Sequence, residues 1–155
     1  MTTDILIIFA VFVGLVFFSI WYGKSSSVSL LISIYLGILT FLSFPYLEEV
    51  IFLKSSESQV TLSQIGVFVV GVAVIYFIIR NIIFTEYSYG IITKYLQVIL
   101  LSGASTALLF AFAYHTIPLT TLYDFNTSID NLFSSQYFFY WLVAPILVLF
   151  VTTRE

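Results

Sequence analysis

The stretch WYGKSSSVSLL, residues 21–31, separates two long apolar runs and decides how the chain folds. The run before it covers residues 5–20, and the run after it reaches Leu47. A glycine and a lysine interrupt the apolar pattern at Gly23 and Lys24, and three serines follow. The stretch therefore predicts a tight helical hairpin loop at a membrane face, with Lys24 holding the loop in water and serine hydroxyls capping the next helix.

The composition predicts an integral membrane protein. Of 155 residues, 61% are hydrophobic and 8% are charged, whereas an average soluble domain is about a quarter charged. So few charges cannot cover the surface of a soluble fold. The net charge of -3 leaves no basic patch for nucleic acid. The absence of cysteine excludes disulfides, thiolate metal sites and cysteine nucleophiles.

Five apolar segments predict an all-α, polytopic transmembrane helical bundle that forms one domain over residues 1–155. A spanning helix needs about 20 residues, and none of the segments alternates polar with apolar residues as a membrane barrel does. The predicted helices cover approximately residues 5–22, 28–47, 62–84, 95–117 and 132–152. The fifth has Pro145 in its middle, so it is either a kinked span or a re-entrant helix.

The charged residues predict that the N-terminus lies outside and the C-terminus in the cytoplasm. Asp4 precedes the first segment and the first lysine follows it, which is the reverse of a cleaved signal peptide. Five spans place four of the five basic residues inside, as the positive-inside rule expects. The cytoplasmic ones are Lys24, Arg80, Lys94 and Arg154, and Lys54 lies outside. The predicted interface anchors are Trp21, Tyr22, Lys24, Arg80, Lys94 and Trp141.

Side chains that could perform catalysis are scarce. No charged residue lies at the centre of a predicted span, where transporters and pumps usually place one. His115, the single histidine, could act as a base with Asp124, but we expect a polar anchor at the interface. Glu48, Glu49 and Glu57 could bind a cation, but we expect a solvated acidic loop. With no nucleophile elbow and no phosphate-binding or metal-ligand spacing, the sequence predicts no catalytic residue, no cofactor and no metal.

Small residues recur at helical spacing, which lets helix backbones approach closely in lipid. The predicted helix-packing residues are Ser25, Ser29, Ser33 and Gly37 on the second segment and Gly103, Ala107 and Ala111 on the fourth, with Ala10 and Gly14 as a shorter pair on the first. We expect Gly37 and Ser33 to lie against the small-residue face of the fourth segment. Ile34 and Ile38 are expected on other faces. The stripes serve either the packing of one monomer or a subunit interface.

Several stretches carry a resemblance to a known family. Asp4 opens the first helix, and Gly23-Lys24 stands where that family has a basic residue beside a glycine. FPYLEEV (44–50) resembles the aromatic end of its second helix. KYLQVILLSGASTALLFAFAYHTIPL (94–119) resembles its fourth helix, and NLFSSQYFFYWL (131–142) its aromatic C-terminal segment. On these stretches the chain resembles the colicin V production proteins, a family of small bacterial inner-membrane proteins.

The resemblance implies a role in colicin V export and in envelope integrity, without enzymatic activity. The expected function is therefore a non-catalytic scaffold or assembly subunit in the inner membrane. Its expected partners are the lipid bilayer, other membrane or envelope proteins and, in a homo-oligomer, copies of itself. The alternatives are a small oligomeric channel or transporter component and, last, an intramembrane enzyme.

Overall fold

The structure, a computed structural model, describes residues 2–43, 57–83, 91–116, 127–133 and 136–153. Its helices are α1 (Thr2–Ser43), α2 (Glu57–Arg80), α3 (Ile91–Thr116), α4 (Thr127–Leu132) and α5 (Phe138–Thr153). Helices make up 95% of the described residues and none of these residues is in a strand, which confirms the all-α class. Long apolar segments form helices because only a helix satisfies every backbone polar group within its own segment.

Three helices, α1, α2 and α3, are long and apolar enough to cross a membrane. α1 has 42 residues and would be about 63 Å long if straight, twice the hydrocarbon thickness of about 30 Å. One non-helical residue, Gly23, divides it. We call residues 2–22 the first arm and residues 24–43 the second arm, each about 30 Å long. α5, with 16 residues, measures about 24 Å.

The two arms of α1 form a helical hairpin. Ile7, Ile8 and Val11 of the first arm pack on the cluster around Phe110 in α3. The ring of Phe41, near the far end of the second arm, lies 5.6 Å from the ring of Phe112. Both ends of α1 therefore lie beside the same turn of α3, and the chain reverses at Gly23 between them.

The core lies where the second arm packs between α2 and α3. Its most buried members, each at most 1% exposed, are Leu31, Ile34, Leu101, Leu108 and Phe112. Phe68 of α2 contacts Phe112 with ring centroids 4.5 Å apart, so all three helices meet there. Ile34 and Ile38 also belong to this core, so faces of the second arm other than the small-residue stripe are packed as well. α5 packs on α3.

The C-terminal segment differs most from its predicted bounds. Instead of one helix over 132–152, α4 ends at Leu132 and α5 begins at Phe138. The indole N–H of Trp141 donates to the Leu132 carbonyl at 2.9 Å, so this carbonyl at the end of α4 is satisfied by a side chain. At the hairpin the second helix begins four residues earlier than predicted, because the turn needs one residue only. Predicted helix ends 44–47, 84 and 117 lie outside the described residues.

Candidate functional site

The hairpin turns at Gly23 in a backbone conformation that favours glycine. Its φ is 83° and its ψ is 177°, a combination in which a Cβ is strained. The hydroxyl of Ser27 lies 2.7 Å from Ser19 Oγ and 3.1 Å from the Gly23 carbonyl oxygen. Residues eight apart in a straight helix are separated by about 12 Å, so the Ser19–Ser27 bond exists only because the arms fold back.

The turn is fastened to the end of α2. Ser25 Oγ donates to the carbonyl of Ile83. The guanidinium of Arg80 lies over the ring of Tyr22, 5.6 Å from its centroid, and 6.0 Å from the ring of Tyr76. Lys24 is only 4% exposed. The expectation that its side chain holds the loop in water is therefore wrong: the second arm begins at Lys24 itself, so the serine stretch is part of a packed helix.

The other predicted interface anchors divide into exposed and half-buried residues. Trp21 is 84% exposed, and Arg80 and Lys94 are also exposed. Trp141 is half-buried, with its ring 5.3 Å from that of Phe133. This tryptophan is part of the packing of α4 on α5 rather than an open membrane-facing ring.

The stripe on the second arm packs inside the chain. Ser29 and Ser33 are fully buried, and their hydroxyls donate to the carbonyls four residues earlier, at 2.7 and 2.6 Å. A Cβ built on Gly37 would overlap the side chain of Val72 and lie 3.6 Å from the Val72 Cα. Gly37 therefore allows the close approach of α2. The expectation that it lies against the small-residue face on α3 is wrong.

The small residues of α3 and of the first arm have different surroundings. A Cβ on Gly103 would lie 3.8 Å from the ring of Phe12, so Gly103 faces the first arm. Ala107 is half-buried, and Ala111 is fully buried in the cluster that contains Phe110. Ala10 and Gly14, in contrast, are exposed, and no atom lies within 4 Å of a Cβ built on Gly14. This pair therefore lies on the surface of the described part of the chain.

A contact that the sequence analysis missed joins the second arm to α5. The hydroxyl of Tyr35 donates to the carbonyl of Leu142. Pro145 lies inside α5. A proline within a helix removes one N–H and displaces the carbonyl four residues earlier, which here is that of Trp141. Tyr35 contacts the next carbonyl along the chain, that of Leu142. Nothing in the sequence identifies Tyr35 as a partner of α5.

Of the candidate catalytic and cation-binding residues, Glu57 and His115 lie in the described part of the chain. His115 is exposed and stacks on Phe138, with ring centroids 4.1 Å apart and planes 15° apart. Asp124, Glu48 and Glu49 lie outside the described residues. Within the part that the structure describes, no three His, Asp or Glu side chains are grouped so that they could hold a metal ion.

Comparison of the chain with protein-family models, with curated proteins and with solved structures finds no match of any of the three kinds.

Proposed function

We propose that this protein is a non-catalytic, multi-pass inner-membrane protein that acts as a scaffold or assembly subunit in envelope integrity or export. The envelope role comes from the resemblance to colicin V production proteins. Its five spans are the two arms of α1, then α2, α3 and the C-terminal segment that ends in α5. The N-terminus lies outside and the C-terminus in the cytoplasm, as the distribution of basic residues indicates.

The observation that supports an assembly role is the outward-facing pair Ala10 and Gly14. In lipid, helices associate through close van der Waals contact at small residues, because the lipid tails are as apolar as the side chains. Gly37 makes such a contact inside the chain. Gly14 offers the same kind of surface to a second protein, because nothing lies within 4 Å of its added Cβ.

An oligomeric channel or transporter component is the second function class, and four of the buried hydroxyls give it little support. A polar pathway needs groups that can bind a solute in transit. Ser29, Ser33 and Ser105 instead donate to carbonyls of their own helices. Thr106 does the same, at 2.8 Å from the Ser102 carbonyl.

Gentle-detergent purification of the full chain from its native membrane tests the assembly role. We expect wild type to retain a defined membrane or envelope protein, and the double variant Ala10→Leu/Gly14→Leu to lose it. Thermal stability of the chain itself should not change, since both positions face outward. Val74→Leu, at an exposed position on α2, is the matched control.

The assembly proposal is contradicted if the double variant retains every protein that wild type retains. Solute flux through liposomes that contain the purified chain alone would favour the channel instead.

A further inference from the structure

An apolar groove runs along α2 beside the hairpin. It has a volume of about 380 Å³ and is lined by Leu15, Phe18, Leu30, Val72, Ala73 and Tyr76, among others. Small-molecule sites commonly have volumes of about 300–1,000 Å³. The lining runs along α2 from Phe68 to Tyr76, a length of about 12 Å at 1.5 Å per residue. The groove thus has the size and the lining of a site for an apolar chain.

One end of the groove carries aromatic rings and a cation. The ring of Phe18 lies 4.9 Å from that of Tyr22 and 6.0 Å from that of Tyr76. The guanidinium of Arg80 lies over both tyrosine rings. Arg80 is the last residue of α2, one turn beyond Tyr76, and is exposed. Among the described residues it has no carboxylate partner, and its guanidinium is in contact with the two rings and open on its exposed side.

A polar atom in the groove lining lacks a hydrogen bond. Tyr76 is 9% exposed, and its hydroxyl is buried without a hydrogen-bond partner among the described residues. Such a group is costly in an apolar environment. The hydroxyl is a donor that is closed off in this structure, so a ligand oxygen at the same end of the groove as Arg80 reaches it only when the neighbouring side chains move.

We propose that the groove binds one anionic phospholipid. An acyl chain lies along the groove, a phosphate oxygen accepts from the Arg80 guanidinium, and an ester or phosphate oxygen accepts from the Tyr76 hydroxyl. Free phosphate is a poorer occupant, because it uses the cation and leaves the apolar groove empty. A zwitterionic lipid fits the groove but carries a compensating positive charge beside Arg80.

Native mass spectrometry of the delipidated full chain in detergent tests this site. Phosphatidylglycerol and phosphatidylcholine with identical acyl chains are titrated separately. A basic side chain near a membrane surface favours anionic lipid by about fivefold, so we expect the first phosphatidylglycerol to bind about fivefold more tightly than phosphatidylcholine. Arg80→Gln should remove this preference. Lys94→Gln, which removes one charge from an exposed lysine, should keep it.

Two further variants test the groove itself. Ala73→Leu places a larger side chain in the groove and should weaken both lipids. Tyr76→Phe removes one hydrogen bond that both lipids can make, so it should weaken both by about fivefold. Unchanged thermal stability of Arg80→Gln and Ala73→Leu verifies that the variants are folded. If Ala73→Leu fails this check it is replaced by Ala73→Val, and if Arg80→Gln fails it is replaced by Arg80→Lys, which should keep the preference for phosphatidylglycerol.

Several outcomes would overturn the proposal. These are equal affinity of wild type for the two lipids, an unchanged preference in Arg80→Gln, or unchanged lipid affinity in the folded Ala73 variant. Displacement of the lipid by millimolar inorganic phosphate would also overturn it, because the site would then be a simple anion contact.

Discussion

Two features of the fold each depend on a single glycine. These are the turn of the hairpin and the close packing of α2 on the second arm. Gly23 is the one described residue with a positive φ. At Gly37 the side chain of Val72 occupies the space that a Cβ would need. Gly66 and Gly71 are helical glycines with nothing within 4 Å of an added Cβ. The same residue type is therefore essential at two positions and replaceable at two others, and this difference can be measured.

Gly23→Ala should destabilise the protein by about 1–3 kcal/mol, because alanine is strained at this φ and ψ. Thermal unfolding in detergent, monitored by circular dichroism, measures the loss. Gly71→Ala is the matched control and should be neutral or slightly stabilising, because alanine is the better helix former. Equal melting temperatures for Gly23→Ala and wild type would mean that the chain does not turn at Gly23 in this conformation.

Gly37→Ala should lower the melting temperature, because the added methyl group overlaps Val72 and the Val72 Cα is only 3.6 Å away. Overpacking of this kind costs about 1–3 kcal/mol. Gly66→Ala makes the same chemical change where there is open space. If the two variants unfold at the same temperature, α2 does not pack closely on the second arm.

His115→Ala should leave function intact. The imidazole is exposed and stacks on Phe138, so its removal takes away one ring contact. Complementation of a deletion strain, with membrane levels verified by immunoblotting, is the measurement. A loss of more than tenfold at normal membrane levels would revive the enzyme hypothesis.

At the scale of elements, the sequence predicted where helices lie better than what each helix touches. Apolar blocks and the break at Gly23 are local signals, and both arms of α1, α2 and α3 follow from them. Helical periodicity predicts that Gly37 lies on a packed face. Because α2 and α3 are both apolar, the periodicity does not indicate which of the two helices packs there. The burial of Lys24 likewise depends on neighbours brought by folding.

The sequence carries a local signal for the split between α4 and α5 that the predicted helix over 132–152 passed over. Residues 132–152 contain the polar triplet Ser134, Ser135 and Gln136 besides one strong helix breaker, Pro145. In the structure that proline lies inside α5, and α4 ends at Leu132. The indole N–H of Trp141 donates to the Leu132 carbonyl. This boundary therefore coincides with both a local polar stretch and a tertiary hydrogen bond.

The contact between Tyr35 and the backbone of α5 gives a prediction at this scale. Tyr35→Phe should destabilise the protein by about 0.5–1.5 kcal/mol, since the Leu142 carbonyl loses its side-chain donor. Tyr95→Phe, at an exposed tyrosine, is the control for a lost hydroxyl. Equal melting temperatures for Tyr35→Phe and wild type would contradict the contact.

At the scale of the whole molecule, the proposed number of membrane spans depends on the hairpin. A straight α1 would place Thr3 and Ser43 about 60 Å apart, beyond opposite faces of the bilayer. The hairpin instead places both near one end of α3, with Trp21 at the other end. Thr3, Trp21 and Ser43 are all exposed, and the chain has no cysteine, so each can be replaced singly by cysteine without background labelling.

Labelling of these three single-cysteine variants with a membrane-impermeant maleimide, in intact cells and in inverted membrane vesicles, is the most direct measurement of this architecture. Two crossings by α1 with the N-terminus outside predict that Thr3→Cys and Ser43→Cys label from outside, and that Trp21→Cys labels only in inverted vesicles. Labelling of Thr3→Cys and Ser43→Cys from opposite faces would contradict the hairpin and the span count that depends on it.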